Sequence, residues 1–530
     1  MDDLKTSLLQ CITSTAWQKV GTHPHHGINL PLSALHTKDS CGIGEFFDLI
    51  PMIDWCEKLG LDVIQLLPLN NSEGDPSPYN GISSCAINFA YLSLHLLPHI
   101  EKLPELQEKL SSLRALNQTE RISYIEVQTH KLNWLRGYYD EVGKQIIATK
   151  AFEKFILENS WVKPFSLYKA LKTKLGNTPS SSWPPELQPP LDDALYELYE
   201  AETRFHQMLQ YLCYVQFKEV KEYAHEKKIF LMGDIPILIS RESADVWLYP
   251  EYFDLNLSAG APPDYYTPDG QNWGFPIFRW DALRKKRFDW WTQRLQYAQH
   301  FYDLFRIDHV IGFFRIFVIP LNHSPKEGSF FPEDETKWEA QGREILEMIA
   351  SATDMLPIAE DLGIVPDCVR PVLIEYGICS TKVMHWESAK NGELHYTPIQ
   401  YYPPISLTTL STHDSETTPQ WWEKFPDEAT SFAQQKRWEY APRLSFEQHQ
   451  EILWDSHHTS SLFHINLLQE YLALFPELVH STPAEERINI PGIVLPSNWT
   501  YRFKPSVEKI VSHEGLFETL KKIIHSPTPQ

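Results

Sequence analysis

Cysteine is scarce and follows no pairing pattern. The 530-residue chain has seven, at positions 11, 41, 56, 85, 213, 368 and 379, and no CxxC spacing. An odd, scattered set excludes a disulfide frame and a cysteine-ligated zinc site, and it suits a reducing compartment. No run approaches roughly 18 uninterrupted apolar residues, so no membrane-spanning helix is predicted. The start, MDDLKTS, lacks a basic stretch followed by an apolar one, so no secretory signal is expected and the cytoplasm is the expected location. Positive charge is outnumbered, with 47 Lys and Arg against 69 Asp and Glu and a net charge of −22. The densest basic cluster is Arg284-Lys285-Lys286-Arg287. Such a balance repels nucleic acid and anionic membrane surfaces but accepts a neutral substrate. No GxxxxGK[ST], GxSxG or HExxH occurs, which excludes a phosphate cradle, a serine-hydrolase elbow and a zincin helix. Neither an internal repeat nor a low-complexity segment is visible. The imidazole-rich stretch His23-Pro24-His25-His26 is expected to be a solvated loop rather than a metal site, and no metal or organic cofactor is expected.

What the chain does hold is apolar and aromatic mass. Hydrophobic residues make up 42% and aromatics 13%, with 17 Trp and 24 Tyr. Aromatic excess serves either as core filler or as platforms on which the apolar face of a sugar ring stacks. Eight short runs rich in Val, Ile and Leu, bounded by Gly, Pro, Asp or Ser, read as buried strands: 27–32, 61–69, 228–237, 302–310, 356–362, 381–386, 405–412 and 487–493. Several of the gaps between them carry helix-period sequence, as at 46–59 and 287–301. Alternation of eight strands with helices predicts an α/β fold, a (β/α)8 TIM barrel with helical and loop insertions around its C-terminal face. The whole chain, 1–530, is then one catalytic barrel unit. The spacing is uneven, so three insertions are expected: a subdomain at 70–226 between strands two and three, a loop at 324–337 after strand four, and a helical piece at 417–478 between strands seven and eight. Within the first, PSSSWPPELQPP (179–190) is too proline-dense for a regular helix.

Barrel enzymes keep their chemistry at the strands' C-terminal ends. Three carboxylates stand there, Asp308 in FRIDH, Glu360 in PIAEDLG and Asp414 in LSTHD. Carboxylates at neighbouring strand ends suit glycoside chemistry: one nucleophile, one proton donor, and one that steadies a cationic sugar. A single such residue reads equally as a helix cap or half of an ion pair; three with polar helpers do not. Arg306, two residues before Asp308, falls on the same strand face and favours the ionised carboxylate. Glu360, partly buried near another carboxylate, would hold its proton as a general acid must. His413 precedes Asp414, and both face a sugar's hydroxyls if the strand has turned. Asp234 in MGDIP is a fourth rim carboxylate, either a turn cap or a sugar contact. The loop GAPPDYYTPDGQNWG (260–274) offers Tyr265, Tyr266, Gln271 and Trp273 as a lid or stacking surface. Ser77 and Tyr79, in SPY after strand two, stand at the mouth. The pair Trp290-Trp291 reads as helix packing, and Trp421-Trp422 is open.

Taken together, these stretches resemble the amylomaltases, the 4-α-glucanotransferases of glycoside hydrolase family 77. The resemblance runs from GINLPLSAL to NWTYRF. It is carried by GDIPILISRESADVW (233–247), GAPPDYYTPDGQNWGFP (260–276), RIDHVIGFFR (306–315), AEDLG (359–363), THD (412–414) and RINIPG (487–492). It implies Asp308 as nucleophile, Glu360 as acid/base and Asp414 as transition-state stabiliser. It also implies Arg306, His413, Asp234, Tyr79 and Ser77 as contacts around the reactive sugar, and Tyr265 and Tyr266 as a lid. The expected substrates are α-1,4-glucan donors and acceptors, maltooligosaccharides and glucose, handled by double displacement. Two departures stand out: NGISSCAINFAYLSL follows SPY where many relatives have an aromatic and Gly-Asn-Pro, and SETT follows THD in place of Asn-Asp-Thr. An α-glucan hydrolase on the same scaffold and a catalytically silent glucan-binding protein are the rival readings.

Overall fold

In the computed structural model, residues 2–263, 267–390 and 394–527 are described. Eight parallel strands close into a barrel: β1 His25–Leu30, β2 Val63–Leu66, β3 Phe230–Pro236, β4 Leu304–Asp308, β5 Leu356–Ala359, β6 Cys379–Val383, β7 Ser406–Thr409 and β8 Phe463–Leu467. Each pairs with its sequence neighbours, and β8 closes on β1 with His25 opposite Phe463 and Ile28 opposite Asn466. The strands are nearly fully buried, so they carry continuous apolar runs rather than alternation. Helix Leu49–Leu59 shows how the strands are joined. It buries Leu49, Met52, Ile53, Trp55, Cys56 and Leu59 on one face and ends at Gly60, whose φ of 77° only glycine adopts freely.

One expectation fails. The run 487–493 is not a strand, and the eighth strand lies at Phe463–Leu467, inside the stretch 417–478 expected to be a helical insertion. The reason is local. FHINL runs directly into helix Leu468–Leu472 with no glycine or proline between, so strand and helix merge into one apolar block. The segment 487–493 sets isoleucines between polar residues, but it is a loop with a turn at 491–492, and its Asn489 reaches Asp414 at the barrel mouth. His25 also departs from the solvated loop expected of it. It opens β1 and is fully buried, while His23 is exposed.

The two ends of the barrel differ. Val63, Met232, Leu304, Leu356, Leu407 and Phe463 fill the lower interior with Trp17 of helix Ser14–Val20. Trp17 donates its indole N–H to the Gly377 carbonyl at 2.8 Å, which seals that end. The other end carries the long connections. Between β2 and β3 stand the helices Pro104–Ala115, Tyr124–Tyr138, Lys150–Glu158, Val162–Lys174 and Glu200–Glu226. Helix Tyr124–Tyr138 is anchored by Lys131, which donates to Glu45 and to the carbonyls of Ala90 and Leu92. After β3 and β4, the strands Gln271–Asn272, Leu257–Ala261, Ile316–Pro320 and Ser329–Phe331 form an antiparallel sheet beside the mouth. Trp290, Trp291, Trp421 and Trp422 are all buried in helices. Among the described residues, no helix is long and apolar enough to cross a membrane, and none of the seven cysteines is bridged.

Candidate active site

Strand register sets the site. Asp234 on β3 lies opposite Arg306 on β4, Pro236 lies opposite Asp308, and Ala359 at the end of β5 lies opposite Ile307. Arg306 and Asp308, two apart, share the inward face. Glu360 is the first residue past β5, and its N–H still donates to the Ile307 carbonyl at 3.0 Å. Three carboxylates from three adjacent strands therefore surround one guanidinium. Arg306 Nη1 donates to Asp234 Oδ2 at 2.8 Å and to Asp308 Oδ1 at 2.9 Å, while Nη2 stands 3.9 Å from Glu360 Oε2.

Each carboxylate has its own environment. Glu360 is nearly buried, with 12% of its side chain exposed. Burial pushes its pKa up and Asp308 adds to the push, while Arg306 and a 2.6 Å hydrogen bond from the His309 N–H oppose it; the balance stands at about 7. His309 can aim that N–H because its φ is 54°, in the left-handed region. The bond occupies one oxygen and leaves the other to carry a proton. Asp414 is its opposite. Partial enclosure works against its charge, with 42% of the side chain exposed, but His413 Nε2 at 3.4 Å and the Asn489 amide at 2.7 Å outweigh it and hold the carboxyl at about 2. Asp234 is wholly enclosed, which lifts it to about 6 against the pull of Arg306. Tyr79 donates its hydroxyl to Asp234 at 2.8 Å, and burial raises that phenol well above its ordinary value, so it stays a donor.

Aromatic rings wall the carboxylates. Tyr79 stacks on His413 with ring centres 5.2 Å apart, and Trp499 lies against both rings, at 5.3 and 5.7 Å. Trp273 bonds its indole N–H to Gln271 and meets the His309 ring edge-on at 5.1 Å. Arg306, Glu360, Asp414, Gln271 and Trp273 line one open cleft of about 530 Å³, room for several sugar rings.

Of the residues expected from sequence, Asp308, Glu360, Asp414, Arg306, His413, Asp234 and Tyr79 are brought into one contact network, with Gln271 and Trp273 on the cleft wall. Ser77 is not brought in. It sits in a turn with its own N–H bonded to Asp75, and among the described residues it makes no hydrogen bond to the carboxylates. Tyr265 and Tyr266 lie outside the described residues. The sequence reading missed Asn489, which clamps Asp414, and Arg487, which donates to the Asp414 and Asn489 carbonyls and pairs with Glu416 at 2.7 Å. It also missed Trp499. All three lie in RINIPG and NWTYRF, and the available signal was polar residues interrupting an apolar run.

Comparison with known proteins agrees with this arrangement. A family described as 4-alpha-glucanotransferase, glycoside hydrolase family 77, matches residues 30–508. The chain is similar to the 4-alpha-glucanotransferase of Chlamydia pneumoniae, 44% identical over 513 residues, covering 96% of this chain and 97% of that one. It is similar also to the 4-alpha-glucanotransferase of Thermus thermophilus, 29% identical over 83% of this chain and 87% of that one. Among solved structures, the amylomaltase from Streptococcus agalactiae in complex with acarbose superposes with a TM-score of 0.80 at 27% identity, covering 95% of this chain and 99% of that one.

Proposed function

Since this chain belongs to glycoside hydrolase family 77 and is a 4-alpha-glucanotransferase, we propose that it transfers segments of α-1,4-glucan by double displacement on Asp308 and Glu360. Asp308 attacks the anomeric carbon of the donor. Glu360 gives its proton to the glycosidic oxygen, and the reducing-end fragment leaves. The glycosyl group is then held as a β-linked ester on Asp308. The 4-hydroxyl of an acceptor glucan yields its proton to the Glu360 carboxylate and attacks the same carbon. The ester breaks, an α-1,4 bond forms, and two inversions give net retention. Asp414, ionised at any working pH, faces the positive charge of the oxocarbenium-like transition state. Asp234 and Tyr79 orient the sugar beside the guanidinium that steadies Asp308.

One observation carries this reading: a single guanidinium reaches both Asp308 and Glu360. One arginine within 3.9 Å of both carboxylates puts nucleophile and acid/base in the same site; retention, for which a spacing of about 5–5.5 Å serves, is taken from the family and not from this contact. Transfer beats hydrolysis only if the acceptor is held well, since positioned reactants reach effective concentrations of about 10⁵ M or more. The Gln271 and Trp273 wall beside Glu360 is where we place that acceptor. Incubation with maltotriose tests the whole. A transferase yields glucose and a ladder of chains longer than the substrate. Glucose and maltose with no longer chain would mark a hydrolase, and an unchanged substrate a binding protein.

A further inference from the structure

The opposite, sealed end of the barrel carries a polar cluster that the transfer reaction does not use. His23, His25 and Asp62 meet where the chain enters β1 and where it enters β2, each with a ligand atom within 4.8 Å of the others. Asp62 Oδ2 lies 2.7 Å from His25 Nδ1 and 3.8 Å from His23 Nε2. The other carboxylate oxygen accepts the His26 N–H at 3.0 Å. His25 is buried and its ring cannot turn: it stacks on Phe463 at 4.8 Å and meets the edge of Phe230 at 6.0 Å.

The far side of the His25 ring makes the cluster more than a hydrogen bond. Nε2 stands 3.3 Å from the Gly21 carbonyl, an atom that can only accept. A neutral imidazole has one N–H. If Nε2 donates it to Gly21, Nδ1 presents a lone pair to a carboxylate oxygen at 2.7 Å, and two acceptors face each other. With Nδ1–H donating instead, the 2.7 Å pair is an ordinary hydrogen bond and the Gly21 contact is lost; a metal ion on Nδ1 satisfies both nitrogens once the pair opens to about 3.3 Å around it. A histidine bonded through one nitrogen to a backbone carbonyl, with the other nitrogen free beside a carboxylate, is also the arrangement that orients metal-bound imidazoles. His23 completes the set. Gly21 has a φ of 102°, and a Cβ there would fall 2.8 Å from the His23 ring, so this glycine leaves the room in which His23 folds back over Asp62.

We propose that His23, His25 and Asp62 form a binding site for one divalent transition-metal ion of the zinc class, with water in the remaining position. Two imidazole nitrogens and one carboxylate oxygen select zinc, cobalt or nickel over magnesium and calcium, which prefer oxygen alone. His25 and Asp62 are held by backbone bonds: His25 N–H to the Leu462 carbonyl, Asp62 N–H to the His26 carbonyl and Phe230 N–H to the Asp62 carbonyl. His23, with 64% of its side chain exposed, is the ligand that swings in. The ion would tie the segment entering β1 to the start of β2. Its effect is on stability and not on sugar transfer, because the site lies at the end away from the catalytic carboxylates.

The test uses the full-length, tag-free chain stripped with chelator and then titrated with Co²⁺ or Zn²⁺. We expect one Co²⁺ per chain with the visible absorption of a four-coordinate site, displaced by Zn²⁺. Excess Zn²⁺ should raise Tm by several degrees and leave maltotriose turnover unchanged. His23→Ala removes an exposed ligand and should fold as the parent does. It should lose the absorption, bind at least tenfold more weakly, and show no Zn²⁺-dependent rise in Tm. Asp62→Asn should do the same. The proposal is overturned if the parent shows neither absorption nor thermal shift, which would leave a hydrogen bond alone between His25 and Asp62. It is equally overturned if His23→Ala binds as tightly as the parent, which would place the ion elsewhere.

Discussion

A group that gives up a proton in one half-reaction and takes one back in the other needs a pKa close to the working pH. Glu360 reaches about 7 by a contest of forces: burial and the neighbouring Asp308 raise it, and Arg306 and the His309 N–H hold it down. Attack on the donor requires the protonated form, so kcat/KM should fall about tenfold per pH unit above about 7. Glu360→Gln should flatten that limb and slow maltotriose disproportionation by roughly 10²–10⁴-fold. A maltosyl donor with fluoride as leaving group separates the two roles of the residue. Fluoride departs without a proton, so the variant should form its ester at near-parental rate and then stall, because no base remains to activate the acceptor. If first-turnover fluoride release in the variant is slowed as much as maltotriose disproportionation, Glu360 is not the acid. Arg306 makes a complementary case, since its Nη1 donates to both Asp234 and Asp308 while its Nη2 lies near Glu360. Arg306→Lys keeps the charge but, with a single nitrogen, cannot hold Asp234 and Asp308 while also standing near Glu360. It should cost at least a hundredfold in kcat, measured on the same substrate.

Elements place these residues, and the sequence shows some elements better than others. Seven of the barrel strands are legible because each is a short apolar run ended by turn residues, and Asp308 at the end of β4 and Glu360 just past β5 stand where those runs stop. The eighth is hidden because Phe463–Leu467 passes without a break into Leu468–Leu472, so its period of two is lost in a longer apolar stretch. The opposite error at 487–493 has the same root. Isoleucines at 488, 490 and 493 imitate a buried strand, yet Asn489 between them is there to hold Asp414. Alternation cannot tell a strand's solvent face from a loop's working face. Asn489 gives the element-scale prediction. Asn489→Asp puts a second carboxylate against Asp414, which favours the protonated form of one of them. The acid limb of the kcat profile should move up from near 2 by one unit or more, where Asn489→Ala should lower kcat without moving it as far. A pH–rate series on both variants checks this. Equal profiles would mean that Asn489 acts only through loop shape.

For the whole molecule, the question is how a barrel with so many connections on one face stays assembled while its mouth is lined with ill-placed charge. Part of the answer is Lys131, which reaches from the connection between β2 and β3 to Glu45 in the turn after β1, with both side chains wholly buried. Removing one member of such a pair strands the other charge, at about 3–5 kcal/mol. Lys131→Met should therefore lower stability by that amount, measured from denaturant midpoints, and Lys131→Met with Glu45→Gln should recover much of it. If the double variant is no better than the single, packing and not charge is what Lys131 supplies. Glu360 is the counter-case, a residue kept for chemistry against stability. Its folded pKa of about 7 lies above the ordinary 4.5. The unfolded chain thus releases this proton first, and the stability available below about pH 4.5 is lost as pH rises to about 7. Glutamine at this position cannot ionise. Glu360→Gln should match the parent's stability near pH 4.5 and exceed it above pH 7, by about 3 kcal/mol at most. A gain that is the same at both pH values would trace to altered packing. A gain that opens only between them would show that this barrel gives up stability at Glu360 to keep a proton within reach of the substrate.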